Sequence, residues 1–455
     1  MSSTDALPTP ATLNVTCERT TGGATFDAHN PPERRLIDEC VHCGFCLPTC
    51  PTYSLWREEM DSPRGRIYLM KMGLEGKVEM NETFVSHFDR CLSCLSCVTA
   101  CPSGVQYDKL ITDTRAQIER NYKRPAMEKL HRWMIFSLFP YPRRLRTLLA
   151  GVWLYQRSGL RWLLRRSGLL KLLPRKLQAM EALLPEIKLR ELRAKLPERI
   201  APRGEKRRRV GLLLGCVQRV IFSGVNAATA RILVAEGCEV IIPAGQGCCG
   251  ALSTHAGNEE QSLELSRKLI DVFEKAEVDA IIVNAAGCGS NMKDYAHLFR
   301  NDPEYAERAK AFAAKCKDLS EFLAELQPRA VRHPVALRVA YQDACHIQHA
   351  QHITTQPRQV LRTIPQLELV EVPESAICCG SAGIYSLVQP DTARELGDRK
   401  VDNCLTTAPD LIVSSNPGCL LQIRSGLARK GRHVPVRHVA ELMDASISGD
   451  LSGVS

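Results

Sequence analysis

From residue 210 onward the chain alternates short apolar runs with amphipathic stretches. Val210–Leu214, Glu239–Ile242 and Asp279–Asn284 read as strands, separated by helical spacing over Ala227–Glu236 and Ser262–Lys275. The order returns as strand Val335–Tyr341, helix Gln356–Thr363, strand Leu367–Val372, helix Thr392–Leu405 and strand Leu411–Ser415. Alternating β and α elements predict a parallel sheet with helices on its faces, made twice. Upstream, Arg34–Glu39, Ile67–Met72 and Tyr107–Asn121 carry helical spacing. Between 125 and 205 a helical pattern is cut by Gly159, Gly168, Pro174, Pro185 and Pro197. Residues 1–30 lack periodicity and read as a disordered tail. The expected organisation is an α+β multidomain chain: tail 1–30, helical module 31–124, basic helical linker 125–209, and α/β modules 210–334 and 335–445.

The two α/β modules repeat their cysteines as well as their strands. Gly215-Cys216 matches Ala344-Cys345-His346, and Gly247-Cys248-Cys249-Gly250 matches Ile377-Cys378-Cys379-Gly380. Ala286-Gly287-Cys288 matches Pro417-Gly418-Cys419. Cys216, Cys345, Cys288 and Cys419 follow strands, at the edge of an open α/β sheet where ligands bind. Each copy is therefore expected to converge four cysteines: Cys216, Cys248, Cys249 and Cys288 in one, Cys345, Cys378, Cys379 and Cys419 in the other. An adjacent Cys-Cys pair strains a single-ion tetrahedral site but suits a cluster, where neighbouring thiolates take different irons. A cluster, a zinc or an empty site all fit this pattern. His346 is a candidate further ligand, proton carrier or hydrogen-bonded turn residue, and His255 and Tyr385 stand at matching positions after each Cys-Cys pair. Cys238, Cys316 and Cys404 fall outside the repeat and read as small buried hydrophobes, and Cys17 stands alone.

The helical module carries the most specific signal. Cys40-Val41-His42-Cys43-Gly44-Phe45-Cys46-Leu47-Pro48-Thr49-Cys50-Pro51 recurs as Cys91-Leu92-Ser93-Cys94-Leu95-Ser96-Cys97-Val98-Thr99-Ala100-Cys101-Pro102. Both are the C-x2-C-x2-C-x3-C-P run with which bacterial ferredoxins hold [4Fe–4S] clusters, the fourth cysteine ligating the other cluster. That rule puts Cys40, Cys43, Cys46 and Cys101 on one cluster and Cys91, Cys94, Cys97 and Cys50 on the second. C-x2-C is also zinc spacing, but four cysteines per run, each ending in Cys-Pro, favour iron. Between the runs, Asp61-Ser62-Pro63-Arg64-Gly65-Arg66 reads as a turn opening a helix, its arginines either offsetting cluster charge or forming a solvated helix start.

Composition adds compartment and surface. Twenty cysteines in 455 residues without a basic, apolar leader point to metal ligation in a reducing cytoplasm. No uncharged apolar run approaches the roughly 20 residues of a membrane-spanning helix. The net charge of +10 is concentrated between Arg120 and Arg209, where basic residues outnumber acidic ones roughly four to one. There Arg157, Arg161 and Arg165 are expected on one helix face beside Leu160, Leu163 and Leu164. With Trp133, Trp153 and Trp162, this segment suits solvated linkage of modules or peripheral docking on the inner membrane's cytoplasmic face. No nucleic-acid reader motif accompanies the charge.

No catalytic residues announce themselves. There is no Ser/His/Asp arrangement or paired carboxylate, and Gly211–Gly215 lacks the G-x-G-x-x-G of a nucleotide site. The two cysteine runs, the helical linker and the two C…CCG…C modules, over roughly residues 35–440, resemble the iron–sulfur subunit of glycolate oxidase (glycolate dehydrogenase). Asp61–Arg66, Cys248-Cys249-Gly250-Ala251-Leu252 and Cys378-Cys379-Gly380-Ser381-Ala382-Gly383 look most like that branch. The resemblance implies two [4Fe–4S] clusters on the eight cysteines assigned above, and a separate FAD-bearing subunit that oxidises a 2-hydroxy acid. Electrons would pass through this chain to a quinone or other acceptor, with no turnover by the isolated chain. Related architectures occur in iron–sulfur subunits of lactate-utilisation and anaerobic glycerol-3-phosphate dehydrogenase complexes, and in heterodisulfide reductase. The last ends its module in C-x-x-C. Here Cys288 is followed by Gly289-Ser290-Asn291 and Cys419 by Leu420-Leu421-Gln422, which counts against thiol/disulfide reductase chemistry.

Overall fold

The computed structural model describes residues 25–169, 178, 181, 184 and 186–453. Around the amino-terminal cysteines the chain forms short helices, Arg34–Asp38, Pro51–Trp56, Pro63–Leu74, Glu82–Asp89, Ser96–Thr99 and Tyr107–Asn121. The Pro63 helix starts four residues earlier than its apolar spacing predicts. The Ser62 hydroxyl caps it by accepting from the Gly65 amide, and Pro63 suits the first turn. Ile37, Ile67, Met70, Phe88, Leu110 and Ile111 fill the core beneath the cysteine loops.

The expected tail is corrected at its end. Residues 1–24 lie outside the described residues, but Thr25 and Phe26 are buried, with the Phe26 ring 6.1 Å from that of Phe84. Asp27 accepts from Arg120, Asn121 and Gln117. One aromatic and one paired carboxylate suffice to anchor a segment whose composition gives no periodic signal.

The basic segment forms helices Ala126–Leu138, Pro142–Arg157, Leu160–Arg166 and Leu189–Arg193. The expected single arginine face is not formed. Gly159 turns left-handed at φ +76° and puts Arg157 on a different helix from Arg161 and Arg165. Ile135 and Phe136 pack against Leu252, Ala256, Ile384 and Leu387, and Leu145 and Leu149 against Val220 and Leu192. The segment is thus laid over the two α/β modules.

The first module's strands are β1 (Arg199–Ile200), β2 (Arg208–Leu212), β3 (Cys238–Ile241), β4 (Ala280–Val283) and β5 (Cys316–Asp318), in the order β1-β3-β2-β4-β5. All pairs are parallel except the antiparallel edge strand β1, with Val210 opposite both Val240 and Ala280. The second comprises β6 (Arg338–Tyr341), β7 (Glu368–Glu371), β8 (Leu411–Ser414) and β9 (Val436–His438), all parallel, ordered β7-β6-β8-β9. β1, β5 and β9 are too short to carry an alternation signal and escaped the sequence reading. β5 and β9 extend the duplication: each ends in a capping box, Asp318 with Glu321 and His438 with Glu441. The modules share one core. Val210, Leu212 and Val240 lie in the same buried cluster as Val339, Leu411 and Met443, with helices Ser223–Ala235 and Val439–Ser448 in contact between the sheets.

Candidate iron–sulfur sites

Pro51 opens a helix directly after Cys50, and Cys97 sits on the short helix Ser96–Thr99, so each run passes from loop to helix within its cysteines. Gly44, at φ +86°, keeps the first loop tight against Arg64, whose Nη1 donates to the His42 carbonyl at 3.1 Å. Cys40, Cys43, Cys46, Cys97 and Cys101 line one recess, closed by Arg64, Ile67, Val105 and Tyr107. It brings together the first set expected from spacing and adds Cys97, which spacing gives to the second. Cys43 is exposed, and burial pushes the Cys46 thiol up to about 11.

Cys50, Cys91, Cys94 and Cys97 are all buried. Burial raises the Cys97 thiol well above its usual range, and the nearby Cys94, Cys50 and Cys91 raise it further. Cys91 behaves oppositely. Burial pushes it up, but the Arg66 and Arg115 guanidiniums outweigh that and leave it below the ordinary thiol value. Arg66 is fully enclosed: Nε donates to the His87 carbonyl at 2.6 Å, Nη1 and Nη2 to Thr52 Oγ1 at 3.2 Å, and Nη2 pairs with Asp61 at 3.3 Å. Thr52 Oγ1 in turn lies 3.2 Å from Cys50 Sγ. The two arginines of the Asp61–Arg66 turn are therefore divided, Arg64 at the first site and Arg66 at the second. Buried thiols with the Arg66 and Arg115 guanidiniums beside Cys91 make a setting that suits an anionic iron–sulfur cluster.

In the α/β modules both expected sets converge at the carboxyl edges of the sheets. Cys216 Sγ lies 3.3 Å from Cys248 Sγ, and Cys249 interacts with both Cys248 and Cys288. In the second copy Cys379 Sγ lies 3.3 Å from Cys419 Sγ, and Cys378 interacts with Cys345 and Cys379. The glycine after each pair is required: Gly380, at φ +83°, has the Ala393 carbonyl oxygen 2.5 Å from where a Cβ would sit. Among the described residues no three His, Cys, Asp or Glu side chains are arranged around a single ion. Cys238, Cys316 and Cys404 are buried in the apolar cores. Cys17 lies outside the described residues.

His346 opens a π-helical turn, His346–Ala350, with Nδ1 3.6 Å from Cys345 Sγ. Its ring centroid is 5.0 Å from that of His255, reaching over from the first module. Tyr385, the repeat counterpart of His255, packs in one buried cluster with Cys94, Cys345 and Cys378.

Three residues that position these sites gave no sequence signal. Arg115 donates to Ser93 Oγ at 2.6 Å and to the carbonyls of Cys91, Phe88 and His255, tying the second loop to the first module. His349 bridges Thr99 Oγ1 at 2.7 Å and the Ala376 carbonyl at 3.1 Å, tying it to the second. Thr52 joins Cys50 to Arg66.

Comparison with known proteins covers the same regions. The 4Fe-4S dicluster domain matches residues 36–105, and the cysteine-rich domain matches twice, at 210–293 and 339–424. The linker region of the glycolate oxidase iron-sulfur subunit matches residues 127–184. The probable glycolate oxidase iron-sulfur subunit of Bacillus subtilis is 40% identical over 412 residues, 89% of this chain and 92% of that protein. The glycolate oxidase iron-sulfur subunit of Escherichia coli is 37% identical over 422 residues, 90% and 94% of the two chains. A lactate utilization protein A from Exiguobacterium is 30% identical over 239 residues, 52% of this chain and 98% of that one. Among solved structures, a hypothetical protein from Helicobacter pylori overlaps 60% of this chain and 56% of its own at 13% identity, with a TM-score of 0.41. With one cysteine motif set at its amino end, a matching linker and a duplicated cysteine-rich domain, all within near full-length similarity, the chain belongs to the glycolate oxidase iron–sulfur subunit family.

Proposed function

We propose that this chain is the electron-transfer subunit of a flavin-linked 2-hydroxy-acid dehydrogenase, glycolate being the substrate its relatives' names favour. The observation that carries this reading is the match of the two cysteine runs to a 4Fe-4S dicluster domain within near full-length similarity to glycolate oxidase iron-sulfur subunits. Cys40, Cys43, Cys46 and Cys101 hold one [4Fe–4S] cluster; Cys50, Cys91, Cys94 and Cys97 hold the second. When bound, such clusters supply one-electron carriers whose potentials respond to nearby charge, sulfur hydrogen bonds and exposure. Arg66 and Arg115 place positive charge at Cys91, and exposed Cys43 brings the first site to the surface. The hydride chemistry belongs to an FAD-bearing partner and the final acceptor is a quinone or similar carrier.

The linker suits peripheral attachment to the cytoplasmic face of a membrane. No described helix is long and apolar enough to cross one. Trp133, Trp162 and Leu154 are each more than 60% exposed, and Met127, Leu130 and Leu160 are exposed too, among Lys129, Arg143, Arg144, Arg157 and Arg166. Aromatic and aliphatic side chains interleaved with cations match an anionic lipid surface.

Anaerobic affinity purification with mass spectrometry and iron, sulfide, zinc and flavin analysis tests the reading. It predicts a co-purifying flavoprotein, with iron and acid-labile sulfide on this chain. A colourless, zinc-loaded chain purified alone would overturn it.

A further inference from the structure

The seam between the linker and the first cysteine-rich module carries two positive charges that no carboxylate answers. Linker helix Pro142–Arg157 packs on the short helix Val217–Ile221, with Leu145 and Leu149 against Val220 and Leu192. Leu145 and Leu149 are buried, while Arg143, Arg144, Thr147 and Leu148 are exposed. Arg146, half-buried, therefore stands at the rim of that contact. Arg219, three residues after Cys216, lies across the seam, close enough for the two guanidiniums to repel.

Their donors are left unfilled. The Nε atoms of both are buried without a hydrogen-bond partner. Arg219 Nη2 donates to the Gln246 carbonyl at 3.2 Å. Among the described residues Arg146 forms no hydrogen bond, and neither guanidinium is in an ion pair. Besides Arg146, the charged or titratable groups facing Arg219 are the Cys216 and Cys248 thiols, and burial with the neighbouring Arg146 holds Arg219 below the usual guanidinium range. Two like charges brought together out of water are unfavourable without a counter-charge, and an unpaired buried donor adds to the cost. The repeat counterpart of Arg219 is the uncharged Gln348, so the charge pair belongs to the linker's seat on the first module.

We infer that Arg146 and Arg219 together bind a phosphate group at this seam, as free phosphate or as the headgroup of an anionic phospholipid, and that the bound group fastens the linker to the first module. A guanidinium offers its donors in a planar fork that an oxyanion accepts bidentately. The two oxygens of a carboxylate suit one such fork, whereas a phosphate has oxygens enough for two. The rim position leaves the site open toward the exposed face of the same helix, where Arg143, Arg144, Leu148 and Leu154 lie.

The test uses the anaerobically isolated complex, exchanged into a phosphate-free chloride buffer. Inorganic phosphate should raise the Tm of the wild type by more than chloride does at equal ionic strength. Arg146→Gln and Arg219→Gln should each weaken that response about tenfold or more, and Arg146→Lys less. Arg143→Gln, on the exposed face of the same helix, should leave it unchanged. Flotation with vesicles of phosphatidylglycerol and phosphatidylcholine, against phosphatidylcholine alone, separates the two sources. A headgroup ligand makes vesicle binding compete with phosphate and fall in Arg146→Gln; a free ion leaves vesicle binding untouched by that change. A wild type that answers neither phosphate nor anionic vesicles overturns the inference even where a variant does not fold, and so does an equal phosphate response in wild type and both glutamine variants. Altered iron content or spectra in those variants, with no phosphate response in the wild type, would instead tie the arginines to the charge of the Cys216 site and overturn the ligand.

Discussion

Cys94 and Cys345, 251 positions apart in sequence, lie in one buried cluster with Leu92, Cys378 and Tyr385. The second amino-terminal site is thereby enclosed between its own module and the second cysteine-rich module, whereas the first reaches solvent at Cys43. This polarity gives an electron path an outer and an inner end.

Replacing Cys94 by Ser should remove the inner cluster. On the proposed reading, the complex should lose electron delivery to its acceptor while a flavin partner keeps dye-linked glycolate oxidation, read with an artificial acceptor. Loss of the dye-linked activity as well would show that Cys94 serves assembly of the complex.

Arg66 should set the potential of the inner cluster. Its charge is buried beside Cys50 and Cys91, where solvent screens it little, and Asp61 shares its own charge with His87 and Arg90. Arg66→Met should lower that cluster's midpoint potential and leave the outer cluster's unchanged. Arg66→Lys, which keeps the charge, should shift it less. Redox titration followed by paramagnetic resonance measures both; equal shifts of the two clusters would show a general loosening.

Gly257→Ala should loosen the seat of the ferredoxin-like module. Gly257 is at φ +80°, and a Cβ there would lie 2.2 Å from the Arg115 carbonyl oxygen. Backbone strain and the clash together should cost about 1–3 kcal/mol or more. Thermal unfolding of the anaerobic complex should show a lowered Tm, with altered spectra from the inner site.

The duplicated capping residues should answer pH with opposite signs. Burial lowers His438 from 6.5 to about 4, so the unfolded chain binds the extra proton, and this contribution falls as pH drops from 6.5 toward 4. Burial raises Asp318 from 3.8 to about 6, so the folded chain binds the extra proton, and stability gains as pH drops through 6. Each spans about 3 kcal/mol at most, and in wild type they nearly cancel. Asp318→Asn should therefore make Tm fall more steeply between pH 7 and 5, and His438→Asn less steeply. Parallel profiles for both variants would refute the assignment.

Local order in the chain determined a great deal by itself. The spacing of Cys40–Cys50 and Cys91–Cys101 announced a dicluster module, because two-residue spacers are a constraint on one loop. The Gly-Cys, Cys-Cys-Gly and Gly-Cys landmarks exposed the duplication, because a repeated strand–turn unit repeats its turn chemistry. Only the tertiary structure decided that Arg66 faces the inner site and Arg64 the outer, that Thr99 docks on His349, that Phe26 closes on Phe84, and that the second cysteine-rich module meets Cys94. Periodicity reports which face of an element is buried, not what covers it. Partners separated by 250 residues, as Thr99 and His349 are, are chosen by the packing of whole modules. The short strands β1, β5 and β9 exist for the same reason: hydrogen bonds to a neighbouring strand, rather than propensity over two or three residues, hold them extended.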